Sequence, residues 1–270
     1  MRAAMSFLSI AVSYLVLFAV SPCPAEVSVA VSIQVAPPAL PVYDQPECPA
    51  AGYLWVPGYW AYGDDGYYWV PGIWVLAPRQ GLLWTPGYWG WSDGIYVWHE
   101  GYWGRHVGFY GGVCYGFGYT GVGYAGGYWH EGVFRYNRSV TNVNVSVVHT
   151  TYTKVVVTNT ATVNRVSFNG GAGGIPARPT AVELVAARDH HVVPVPMQIQ
   201  HQREAVTNRA LLASENHGQP PAGALAKRAT AAPAGDDKAQ SASPSKQSGK
   251  AHAGKNGHPK SKHAPHGREM

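Results

Sequence analysis

Two histidine–glutamate steps, His99-Glu100 and His130-Glu131, hold the same place in two copies of a short repeated phrase, and of all residues here they come nearest to a chemical site. On neighbouring strands, two imidazoles and two carboxylates would suit zinc or copper. The H-E-x-x-H pattern is not present, because Trp103 stands four residues after His99. Half-exposed histidines explain the pair without a metal, so no metal ligand is assigned. His190, His191 and His201 fall at the ends of expected helices, and the histidines at 252, 258, 263 and 266 offer only unspecific affinity.

Catalytic and cofactor patterns fare no better. No serine is assigned to a nucleophile elbow, and the acids Asp64, Asp65 and Asp93 sit where turn chemistry accounts for them. GFGYTG (Gly116–Gly121) and GVGYAG (Gly121–Gly126) match the letters of the dinucleotide fingerprint. That fingerprint needs a preceding strand, a following helix and an acid about 20 residues on. Here it reflects a segment dense in Gly. No catalytic residue and no cofactor is assigned, and the chain reads as a non-enzyme. Cys48 and Cys114 remain after the cysteine of the leader is set aside. In an oxidising compartment they form a candidate disulfide, and the competing reading is two unrelated thiols.

The elements that would position any site come from a tandem array. All ten Trp lie between Trp55 and Trp129. The copies are Trp55-Val-Pro57-Gly58-Tyr-Trp60, Trp69-Val-Pro71-Gly72-Ile-Trp74, Trp84-Thr-Pro86-Gly87-Tyr-Trp89, Trp98-His-Glu-Gly101-Tyr-Trp103 and Trp129-His-Glu-Gly132-Val-Phe134. Turn signals GDDG, APRQG and SDG separate the first four. The fold class is therefore mainly β: an antiparallel meander of aromatic strands, then a short helical pair and a disordered tail. Residues five apart on a regular strand face opposite sides. A one-residue bulge at Pro-Gly would bring each Trp pair onto one face, where the rings build a core. A type II turn that makes each phrase its own hairpin is the competing geometry.

W-x-P-G-x-W and W-x-E-G-x-W, preceded by Tyr53 and Tyr96 in two copies, resemble the YxWGxW (WxxGxW) repeat family of exported bacterial proteins. The resemblance extends over roughly residues 53 to 217, including Arg105–Trp129 and Asn164–Ile175. It implies export and a cell-envelope setting, and carries no settled activity.

The domain plan follows from composition. Residues 1–25 read as a signal peptide: a basic start, the apolar run Phe7–Val20, and Cys23-Pro24-Ala25 with cleavage expected after Ala25. Residues 26–52 form a Pro-rich linker and 53–136 the repeat domain with its Gly/Tyr-rich segment. Residues 137–168 read as Val/Asn/Thr-rich strands. Residues 169–217 are a hinge at NGGAGG followed by two helices, about Ala181–His190 and Pro196–Ala213, the first opened by a Thr180/Glu183 capping box. Residues 218–270 form a basic tail with nine Lys or Arg against three acids. The tail suits an envelope glycan or an anionic surface, and no specific nucleic acid; no transmembrane segment remains after signal cleavage. The expected role is structural or interactive in the periplasm or at the cell surface. The alternative is a glycan-binding module with open Trp/Tyr platforms.

Overall fold

The computed structural model describes residues 32–156 and 165–227. Residues 1–25, expected as a signal peptide, and 228–270 of the expected tail lie outside the described residues, whereas 218–227, also expected as disordered tail, are ordered: Leu225 is buried and Ala226–Lys227 pair with Gly72–Ile73. β1 (Ser32–Ile33) precedes the repeats. Copy one contributes β2 (Tyr53–Val56) and β3 (Tyr59–Gly63), and copy two β4 (Gly66–Val70) and β5 (Gly72–Leu76). Copies three and four give β6 (Leu83–Thr85), β7 (Tyr88–Ser92), β8 (Ile95–His99) and β9 (Tyr102–Gly104). The fifth copy supplies β10 (Gly127–His130) and β11 (Val133–Asn137). Then come β12 (Thr151–Tyr152), β13 (Phe168–Asn169), α1 (Ala181–Ala186), α2 (Pro196–Val206), α3 (Ala213–Asn216) and β14 (Ala226–Lys227).

The antiparallel, strand-dominated architecture is as expected, but the copies pair two by two. β3 and β4 close a hairpin over Asp64-Asp65, and β2 and β5 prolong it, so that Trp60 faces Trp69 and Trp55 faces Trp74. Copies three and four repeat the arrangement, with Trp89 opposite Trp98 and Trp84 opposite Trp103. Their reversal is the two-residue loop Asp93-Gly94, both at positive φ (49° and 93°), the I′ geometry that matches strand twist. Between β5 and β6 no ladder forms among the described residues. The linking APRQG takes a wider turn there, with Leu82 N–H donating to Arg79 O at 3.4 Å. The meander is therefore a series of hairpins.

Register runs unbroken through each hairpin. Below the Val56–Ile73 pair, Pro57 comes opposite Gly72 and Gly58 opposite Pro71, and pairing resumes at Tyr59–Val70. A bulge in one strand would set two residues against one. Here both strands break at the same rung, so their alternation slips together. Trp55 and Trp69 both approach the Tyr43–Phe117 pair, which places the four indoles of this hairpin on one side. The common face stands, and its cause is a matched pair of interruptions instead of a single bulge. The opposite face is also buried, through Leu54, Val56, Val70 and Val75. Tyr62, Leu76, Trp91 and Arg105, each two residues beyond the trailing Trp of its copy, project past the core at the hairpin ends and are exposed.

Remote segments close the body. From Ser32 on, the stretch read as a Pro-rich linker is an extended strap: β1 pairs with β8, Leu40 and Cys48 are buried, and Leu40 N–H donates to Arg165 O. In 142–150 the expected strands give way to a turn at Asn144, whose carbonyl accepts from Val147 and Val148 N–H. Its side chain also accepts from Ser146 N–H, so pairing is confined to Thr151–Tyr152; Val157 lies outside the described residues. NGGAGG is a tied turn where a hinge was expected. Asn169 Nδ2 donates to the carbonyls of Gly111, Ile175 and Ala177, and Gly171 lies against the Trp91 ring. The Thr180/Glu183 capping box forms, but α1 stops at Ala186 and α2 at Val206, short of the expected ends. α2 lies against β4.

Candidate functional site

The residues singled out by the repeat meet as interlocked pairs. Leading and trailing indoles of partner copies touch edge-on or tilted: Trp55–Trp74 at 5.2 Å between ring centres, Trp60–Trp69 at 5.4 Å, Trp84–Trp103 at 5.3 Å and Trp89–Trp98 at 5.2 Å. Each leading ring also covers the glycine of its partner copy. A methyl group at Gly72 would overlap Trp55, at Gly58 Trp69, at Gly101 Trp84 and at Gly87 Trp98. The invariant spacing thus encodes one lock made twice per hairpin: Trp over Gly, with Pro or Glu at the facing position of the gap.

Buried indole N–H groups need acceptors. Trp60 Nε1 donates to Ala39 O (3.1 Å) and Trp74 Nε1 to Pro46 O (2.8 Å), both on the strap. Trp69 donates to Leu225 O, Trp89 to Trp60 O, Trp103 to Gln198 Oε1 and Trp129 to Leu82 O. These partners were not foreseen. Pro46 is the one acceptor with a signal in the sequence, since proline brings a carbonyl with no N–H of its own to satisfy.

The Gly/Tyr-rich segment wraps the second hairpin. Tyr119 OH donates to Trp84 O (2.9 Å) and Tyr115 OH to Gly87 O (2.6 Å), while Gly121 N–H donates to Tyr110 OH. The amides of Gly108, Gly116 and Gly121 are thus engaged by protein, by Thr85 Oγ1, Tyr119 O and Tyr110 OH. Burial pushes the hydroxyls of Tyr110, Tyr115 and Tyr119 well up from their ordinary range.

A literal G-x-S-x-G, Gly90–Gly94, escaped the sequence reading. It folds strand–turn–strand, and Ser92 Oγ donates to the neighbouring Asp93 carboxylate, so it lacks the strand–turn–helix setting of a nucleophile elbow. His99 stacks on Tyr88 at 4.5 Å, and burial lowers its pKa. His130 lies 3.9 Å from Glu131 on a separate sheet, so the two histidine–glutamate steps are not brought together. No cluster of three or more metal-ligating side chains occurs among the described residues. Cys48 and Cys114 are both free, which corrects the candidate disulfide. Cys48 is enclosed, its thiol donates to Ala50 O at 3.1 Å, and burial pushes its pKa up to about 11.

Two spaces differ in what they can hold. At the waist, Pro57, Pro71, Pro86, Glu100 and His201 help to enclose about 40 Å³. That is room for water and far below the ~300 Å³ of a small-molecule site. His201 Nε2 donates to Pro71 O at 2.8 Å while Nδ1 has no partner, and burial lowers its pKa. Burial likewise raises the Glu100 carboxyl, offset in part by a hydrogen bond with Trp98.

An open groove of about 640 Å³ runs between Asp44-Gln45 and Arg138–Val143, with Phe117 at its edge. Gln45 ties the two walls: Oε1 accepts from Asn142 N–H (2.7 Å), and its carbonyl accepts from Asn142 Nδ2 (2.8 Å). Those bonds fix the amide orientation and leave buried Nε2 without a partner. An unpaired buried donor costs about 1–3 kcal/mol. Phe117 adopts φ +51° between two positive-φ glycines, a conformation unfavourable for a bulky side chain.

Residues 51–75 and 81–103 match the WXXGXW repeat family, and each match takes in both phrases of one hairpin. No curated protein and no solved structure matches the chain.

Proposed function

We propose that this WXXGXW-repeat protein is an exported, non-enzymatic scaffold of the bacterial cell envelope, with the repeats as its rigid body and the basic tail as its contact with anionic glycan or membrane surface. One observation carries the reading: the motif's residues are used up in the interior. Trp55, Trp60, Trp69, Trp74 and Trp103 are almost wholly buried, each leading ring closed over its partner's glycine. Residues 1–25 support export by their composition.

The alternative, an open aromatic platform for glycans, would draw on the exposed rings Tyr62, Trp91 and Tyr128. Each meets its neighbour steeply, at 82°, 61° and 59°, whereas a sugar platform needs parallel faces. The scaffold reading accounts for more of the molecule. Fractionating bacterial cells that make the full chain, with N-terminal sequencing of the product, tests it. A chain beginning at Glu26 in the envelope fraction is expected; an uncleaved chain in the cytoplasm contradicts export.

A further inference from the structure

We propose that the groove between Asp44-Gln45 and Arg138–Val143 binds a sugar ring of an acidic saccharide, with Phe117 as the surface for the ring's C–H face. The proposal goes beyond the scaffold reading and does not rest on it. Its size comes first: about 640 Å³ lies within the range of ligand sites, unlike the waist cavity of about 40 Å³. Its chemistry comes second. Arg138 is exposed and its guanidinium forms no ion pair among the described residues, so it is free to take a carboxylate. Asp44 and Asn142, both exposed at the walls, take and give hydrogen bonds to ring hydroxyls.

Two further features point to an occupant. Gln45 lines the groove and bonds twice to Asn142 of the facing wall, so the two polar walls stand fixed before any ligand arrives. Phe117 is held at positive φ where glycine would be at ease, its ring lying 5.1 Å from Tyr43 and 5.7 Å from Trp55. Backbone strain that persists in a well-packed place is a mark of a constrained, useful side chain. The same ring borders a second depression of about 140 Å³, lined by Tyr43, Trp69 and Arg165. One ring standing between two adjoining depressions, each with an arginine, suits consecutive sugar units of a polyanionic chain.

The test uses the full chain and digalacturonate, too short to span a long cationic segment, with cellobiose as the neutral counterpart. Binding is followed by amide chemical shifts. Digalacturonate is expected to shift Phe117, Arg138 and Asn142, and Arg138→Gln to weaken it at least tenfold with the melting temperature unchanged. Phe117→Leu keeps the backbone demand but removes the aromatic face, and is expected to weaken both sugars. Saturating millimolar digalacturonate with no shifts at these residues, equal affinity in wild type and Arg138→Gln, or tighter binding of cellobiose would each overturn the proposal.

Discussion

Gly72 and Gly66 separate two reasons for a glycine. Gly66 needs positive φ (+95°) in open space, whereas Gly72 has a ring where its side chain would be. Gly66→Ala is therefore expected to cost about 1–2 kcal/mol from backbone strain alone. Gly72→Ala must displace Trp55 from a filled interior, at about 3 kcal/mol or more. Urea melts of the two variants rank them, and equal losses would remove the Trp-over-Gly lock. Cys48 gives a second residue-level expectation. Its thiol stays protonated to about pH 11, against an ordinary value of 9.0, so it should resist alkylation at pH 8 until the protein unfolds. Mass mapping after brief reagent exposure reads this directly. From the sequence, the Trp spacing was legible and the role of glycine was not, because the ring that fills each glycine's space comes from another copy.

At the level of elements, identical letters fold in two ways. Trp98-His99-Glu100-Gly101 crosses an interrupted rung, while Trp129-His130-Glu131-Gly132 makes a two-residue reversal with Glu131 and Gly132 at φ 50° and 76°. The fourth copy has the Trp84 ring of the third over its glycine. The fifth is left without a partner copy, so Trp129 pairs with its own Phe134 at 5.3 Å. One phrase folding as its own hairpin, the alternative that the sequence left open, is thus realised once, but through a reversal with both central residues at positive φ and not the type II turn expected. Helix signals were clearer at starts than at stops: the capping box at Thr180 is local, whereas the early ends depend on what the helices meet. α2 also carries a pH dependence. Burial holds the folded pKa of His201 below 6.5, with neighbouring Lys227 lowering it further and the Pro71 carbonyl and Glu204 opposing. The unfolded chain therefore binds the proton first, so this contribution is present above pH 6.5 and is lost as pH falls through the folded value. Protection factors along Pro196–Val206, corrected for the intrinsic exchange rate at each pH, should fall at pH 5 relative to pH 7, and His201→Gln should flatten the difference.

For the whole molecule, the interior is aromatic and hydroxyl-bearing, and that sets its limits. Burial raises Tyr43, Tyr67, Tyr110, Tyr115, Tyr119, Tyr124 and Tyr136 above their usual 10.0. The contribution of these tyrosines is fully present below pH 10 and falls above it, as the unfolded chain releases protons that the folded one retains. Alkaline unfolding should coincide with a cooperative rise in tyrosinate absorbance; gradual ionisation of a folded protein would speak against these burials. The strap is the largest feature that composition concealed, since proline-rich sequence reads as linker until its carbonyls are matched to indole donors. Removing residues 32–47 strands Trp60 and Trp74 and should destabilise the body by at least about 2 kcal/mol.

Hydrogen exchange of the indole N–H groups, read one by one by NMR, addresses the interior most directly. Trp60, Trp69, Trp74, Trp89 and Trp103, each donating to a named acceptor, should exchange only on global opening, and the exposed Trp91 within the dead time. Exchange of those five as fast as Trp91 would contradict an interior built from interlocked repeats.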